Sequence, residues 1–81
     1  MSRLKQPQKV YTVSEFGLAL RARRKALGYT QEQLATMNDC SVRFIRCLET
    51  GKEGVSFGKA MDVAHSIGMD LFVMDRGDLD W

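Results

Sequence analysis

The stretch from Gln31 to Thr50, QEQLATMNDCSVRFIRCLET, limits what this chain can fold into more than any other part of it. Thr30 and Ser41 can each cap a helix, and each precedes a run with apolar residues at helical spacing. Between the runs, Met37-Asn38-Asp39-Cys40 has to reverse the direction of the chain. Asn38 and Asp39 are the non-glycine residues there that best tolerate a positive φ. The first helix turns Leu34 and Ala35 inward, and Ala35 is small enough for a second helix to cross it closely. On the second helix, at about 100° per residue, placing Ile45 at 0° puts Leu48 near 300° and Val42 near 60°. Arg46 then falls near 100°, Arg43 near 160° and Cys47 near 200°. One face is core and the opposite face is cationic. A short capped helix of this kind suits the DNA major groove, where arginine donates two hydrogen bonds to guanine O6 and N7.

Length and composition set the scale of what surrounds this helix-turn-helix. With 81 residues and 44% hydrophobic content, the chain predicts one small domain that is too modest to enclose a large substrate cavity, hence a binding module. No apolar run reaches the roughly 18 residues of a membrane helix, and MSRLKQPQK lacks the apolar centre of a signal peptide, so a cytoplasmic protein without membrane contact is expected. Cys40, Cys47 and His65 match neither a zinc spacing nor a disulfide framework. Both thiols are read as reduced, and no metal or other cofactor is expected. Charge is divided unevenly. Residues 1–52 carry a net charge of +6 and residues 53–81 carry −4. The basic half holds the helix-turn-helix and fits phosphate binding, whereas the acidic half is unsuited to lying on DNA.

Taken in order, residues 1–10 read as a flexible basic arm with Arg3, Lys5 and Lys9, either a frayed terminus or a segment that touches a DNA groove. A helix is predicted from Ser14 to Gly28, with Glu15 near its positive end and Phe16, Ala19, Leu20, Arg23 or Arg24, and Leu27 at helical spacing. Arg24 lies on the side of Leu20 and Leu27, and Glu49 lies near Val42 and Ile45, which predicts a partly buried Arg24–Glu49 ion pair. Cys40 reads as a small plug beneath the turn, with a redox thiol as the alternative. The loop Thr50-Gly51-Lys52-Glu53-Gly54 can carry Lys52 to a phosphate. Ser56 caps a further helix with Phe57, Ala60, Met61, Val63, Ala64 and Ile67 at helical spacing, closed by Gly68, and His65 reads as a half-exposed surface side chain.

Residues 69–74, Met69-Asp70-Leu71-Phe72-Val73-Met74, are β-prone and largely apolar, and they predict a C-terminal strand. Lys9 to Thr12 is the one weak candidate for a second strand, so the economical partner is the same strand of a second copy. Met69, Leu71, Phe72, Val73 and Met74 are accordingly the expected dimerisation residues. The domain then spans residues 11–74, and residues 75–81 form a flexible acidic tail ending in the sole tryptophan, Trp81. That ring either folds back onto the domain or anchors in a partner.

Gly28-Tyr29-Thr30-Gln31, Leu34-Ala35, Ile45 and Leu48-Glu49-Thr50-Gly51-Lys52 together resemble the Xre/Cro-type helix-turn-helix family, over roughly residues 14–67. Within that family the chain looks most like HipB-type antitoxins, on Tyr11 before the first helix, Tyr29 before Thr30-Gln31, the apolar strand, and the acidic tail ending Leu79-Asp80-Trp81. The resemblance implies a mainly α, lambda-repressor-like domain of four to five helices with one C-terminal strand paired across a homodimer. It also implies binding to double-stranded operator DNA, autorepression of a HipBA-like toxin–antitoxin operon, and a HipA-like serine/threonine kinase toxin as partner. Carried over residue by residue, DNA contacts fall on Gln31, Ser41, Val42, Arg43 and Arg46; Leu79 and Trp81 are the expected partner-binding residues. The chain departs from the family at Asn38-Asp39, where an apolar residue and glycine are usual, and at Val42-Arg43, where polar amides are frequent. The operator sequence therefore does not carry over. The competing readings are a free-standing Xre-type regulator and a pure protein-interaction adaptor, and the adaptor leaves Arg43 and Arg46 without a role. An enzyme is not expected, because no nucleophile–base pair, phosphate loop or metal cluster is present.

Overall fold

The arrangement of helices follows from where polar side chains satisfy the first backbone N–H groups of each one. The computed structural model describes residues 7–78. Helix α1 spans Val13–Leu27, α2 Gln31–Met37, α3 Val42–Glu49 and α4 Phe57–Ser66, followed by a short 3-10 turn at Arg76–Asp78. Thr30, Ser41 and Ser56 cap α2, α3 and α4 as their sequence positions predict. Helix α1 starts one residue earlier than expected. Thr12 rather than Ser14 is the start signal, because Glu15 lies three residues beyond it and closes a capping box: the Glu15 N–H donates to Thr12 Oγ1 at 3.0 Å and the Thr12 N–H donates to Glu15 Oε1 at 3.2 Å. Gly28 ends α1 in the left-handed region.

The turn between α2 and α3 is made as the sequence suggests. Asn38 stays at φ −106°, and Asp39 takes the positive φ, at 53°. Asn38 also ties the turn to α4, since its Nδ2 donates to Leu34 O and to Ser66 Oγ, both at 3.0 Å.

Helix α3 packs against α1 and α2, and the core gathers Leu20 from α1, Leu34 and Ala35 from α2, Ile45 and Leu48 from α3, and Ala60, Val63, Ala64 and Ile67 from α4 and its end. Two expectations about this core are corrected. Helical spacing puts Leu27 and Phe57 on inward faces, but both are exposed, Phe57 to 66%. Each sits in the terminal turn of its helix, where fewer side chains of the same element flank it. The weak strand candidate at Lys9 to Thr12 is irregular chain leading into α1. Residues 69–75 form no ladder among the described residues. A strand is defined by the backbone it pairs with, and none is offered to it among the described residues. Leu79 and Trp81 lie outside the described residues.

Candidate nucleic-acid interface

Helix α3 is divided lengthwise by its surroundings. Ile45, Leu48 and Glu49 are buried, Val42 and Phe44 pack at the margin of the core, and Arg43 and Arg46 are exposed on the other side. Ser41 begins the helix, and its Oγ accepts from the Phe44 N–H at 3.0 Å, so this hydroxyl's lone pair serves the helix end while its proton stays available as a donor. Lys52 is exposed in the loop after α3. Lys59 of α4 sits with its ammonium 5.9 Å from the Phe44 ring centroid, a cation–π contact that joins α4 to the base of α3.

The orientation of α3 is held by the ion pair expected from the sequence. Arg24 Nε donates to Glu49 Oε2 at 2.6 Å and Arg24 Nη2 donates to Glu49 Oε1 at 3.0 Å, with both side chains buried. The third guanidinium nitrogen, Nη1, donates to the carbonyl of Tyr29 at 2.8 Å, which fixes the link from α1 into α2. Burial alone would push the Glu49 carboxyl up; hydrogen bonds from Arg24 and Gln31, with the charges of Arg24 and Arg21, outweigh it and hold the group below its ordinary range. The hydrogen bond that Arg24 donates to Glu49 raises Arg24 above its ordinary value against the opposing effect of burial.

Gln31, an expected DNA contact, is half-buried beside the ion pair, and its Nε2 donates to Glu49 Oε1 at 3.1 Å. The amide is therefore held in one orientation by a residue 18 positions away. Sequence spacing carries no sign of this tie, which exists only because α2 and α3 cross. The structure thus brings Gln31 and Glu49 together and turns Arg43 and Arg46 outward. Ser41 and Val42 sit at the N-terminal rim of the exposed α3 face.

The cysteines stand apart from this surface chemistry. Cys40 and Cys47 are both half-buried, and burial pushes the Cys40 thiol up, with Lys59 acting against that shift. A neutral thiol at neutral pH is a weak nucleophile, so the small-plug reading fits Cys40 better than a reactive one. His65 is exposed on the surface of α4, in keeping with the surface placement expected for it. No group of three potential metal ligands occurs among the described residues, and no helix is long and apolar enough to cross a membrane.

Two short capped helices, crossing at a turn with one left-handed aspartate and leaving a two-arginine face outward, define a helix-turn-helix domain. The comparisons with known proteins point the same way. The fold is HipB-like. It matches a chain of the solved HipB-O4 20mer complex and a chain of the HipA-HipB-O2-O3 complex, each with a TM-score of 0.78 at 20% identity, covering 85% of this chain and 97% of the other. In sequence, the chain is 28% identical over 71 residues to the uncharacterized HTH-type transcriptional regulator y4mF of Sinorhizobium fredii, covering 88% of this chain and 93% of that protein. No family model matches the chain.

Proposed function

We propose that this chain is a sequence-specific DNA-binding antitoxin and autorepressor of a HipBA-like operon, binding palindromic operators as a homodimer and complexing a HipA-like kinase toxin. The observation that carries the DNA-binding part is the split of α3 into a core face and an exposed face bearing Arg43 and Arg46. Arg43 lies near the N-terminal end of α3, the end that meets base edges when such a helix enters a major groove. It is assigned to base readout. Arg46, Ser41 and Val42 border the same surface, and Lys52 and the pinned amide of Gln31 are assigned to backbone phosphates. The HipA-HipB-O2-O3 complex among the structural neighbours supports the toxin partner, and the exposed apolar run ending in Val73 and Met74 supports pairing of residues 69–74 across a two-fold axis. The second reading, a free-standing regulator without a toxin, is favoured by the similarity to a protein described solely as a transcriptional regulator.

The test starts by selecting bound duplexes from a randomised pool. Arg43→Ala should then weaken the selected duplex by about 1 to 3 kcal/mol and relax preference at one base pair, whereas Lys52→Ala should weaken selected and scrambled duplexes alike. Equal weakening of both duplexes by Arg43→Ala would make it a phosphate contact and displace α3 from the assigned orientation. A neighbouring kinase gene whose product co-purifies with the chain separates the antitoxin from the free-standing regulator.

A further inference from the structure

The basic run of α1, Arg21, Arg23, Arg24 and Lys25, is divided by the fold into side chains with different tasks. Arg24 is buried on Glu49, and Arg23 Nε donates to the carbonyl of Ile67 at 2.8 Å, which ties α1 to the end of α4. Arg21 is exposed, and no ion pair engages it among the described residues.

Two close backbone approaches establish where Arg21 sits. A Cβ at Gly17 would come within 2.4 Å of the Leu48 carbonyl oxygen and 2.8 Å of the Glu49 one, so α1 lies directly on the C-terminal end of α3 there. A Cβ at Gly51 would come within 2.5 Å of Ser14 Cα, so the start of α1 lies on the loop that leads to Lys52. At about 100° per residue, Arg21 is about 40° from Gly17 on the side of Ser14, and Arg24 is about 20° away on the other side. Arg21 therefore continues the stripe of α1 that runs along the end of α3, and it leaves that stripe for solvent one turn beyond Gly17. Its charge reaches Glu49, adding to the stronger effects of the Arg24 and Gln31 hydrogen bonds on that carboxylate. The C-terminal end of α3 is thus bordered by Gln31 from α2, Arg21 from α1 and, three residues past Glu49, Lys52.

We propose that Arg21 is a further phosphate-binding residue, which with Gln31 and Lys52 grips the duplex backbone beside the groove that α3 enters. The assignment rests on the DNA-binding reading above and deepens it. A planar guanidinium with several outward N–H groups matches two phosphate oxygens at once, which a lysine at this position cannot do. No sequence pattern separates Arg21 from its basic neighbours; the crossing of α1 over α3 does.

The contact predicts an effect on every duplex, so the probe is a random-sequence duplex of about 20 base pairs, roughly two helical turns. Binding is measured by fluorescence anisotropy across a salt series for the unsubstituted chain, Arg21→Gln, Arg21→Lys and Arg43→Ala. Arg21→Gln should weaken binding severalfold and reduce the slope of log K against log salt by about 0.9 per bound protomer. Arg21→Lys should keep the slope with part of the affinity lost, and melting temperatures should be unchanged. Unaltered affinity and slope in Arg21→Gln would overturn the contact. So would an affinity loss with unaltered slope and a lowered melting temperature, which would show Arg21 acting through Glu49 instead. Absence of salt-dependent binding by the unsubstituted chain would remove the DNA-binding reading and this contact together, whereas normal binding with an inert Arg21 removes this contact alone.

Discussion

Arg24 and Glu49 lie 25 residues apart in the chain, and their two-point contact places opposite charges against the core where α1, α2 and α3 meet. Desolvation of such a pair offsets most of the attraction, so it fixes geometry more than it adds stability. Removing one partner is a different matter, because the other charge then stays buried. Glu49→Gln should destabilise the chain by about 3 kcal/mol, whereas Arg24→Met with Glu49→Leu should be close to neutral. Chemical denaturation of the three proteins distinguishes these cases, and a double variant as unstable as the single one would mean that the pair carries net stability. The pH dependence has a defined sign. The Glu49 carboxyl is held below the ordinary glutamate value of about 4.3 when folded, so its contribution is full above that value and is lost as pH falls through the folded one. Melting temperature should therefore fall less between pH 7 and pH 3 in the double variant than in the natural chain. An equal fall in both would assign acid sensitivity to other carboxylates.

Among the elements, α1 and α3 approach so closely at Gly17 that only a hydrogen fits between them. Glycine inside a helix ordinarily costs about 1 kcal/mol relative to alanine, so Gly17→Ala would stabilise an isolated α1. In this fold the added methyl would strike backbone oxygens of Leu48 and Glu49, which have no rotamer to yield. Overpacking should win, and Gly17→Ala should destabilise by about 1 to 3 kcal/mol. Urea unfolding measures it; a stabilised variant would mean that α1 can slide on α3 without strain. A lone glycine within a helical pattern is the one trace of this crossing in the sequence. The helix starts were easier to read because capping depends on residues within three positions of one another, as at Thr30 and Gln33. At the start of α1 the glutamate three residues on marks Thr12 as the cap, two positions before Ser14.

At the scale of the whole molecule, the described surface keeps a run of uncovered apolar side chains: Leu71, Phe72, Val73 and Met74 are all exposed, Val73 completely. Pairing residues 69–74 with a second copy would cover them and supply the missing ladder. Val73→Pro, which removes a backbone donor from the proposed strand, should convert a dimer into a monomer by light scattering at micromolar concentration. An unchanged mass would place the interface elsewhere. The proposed toxin contact belongs to the same scale. If Leu79 and Trp81 dock into a kinase-like partner, deleting residues 79–81 should leave melting temperature and DNA binding intact while weakening the partner complex. A clear loss of thermal stability in the truncated chain alone would instead show Trp81 packing on its own domain.

What the sequence determined by itself is local in origin. Most caps, the terminators, a left-handed residue at Asn38 or Asp39 and the inward set Leu20, Leu34, Ala35, Ile45 and Leu48 follow from preferences acting over a turn or two of chain. The Arg24–Glu49 pair was legible too, because each residue sits on an apolar face where an unpaired charge would be costly. Tertiary structure decided the rest. It turned Leu27 and Phe57 outward at helix ends, made Gly17 a contact point, tied Gln31 to Glu49, and gave three neighbouring arginines of α1 three different surroundings. Each of these depends on where another helix crosses, and crossing points are set by close packing between residues far apart in sequence, which periodicity within a single element does not encode.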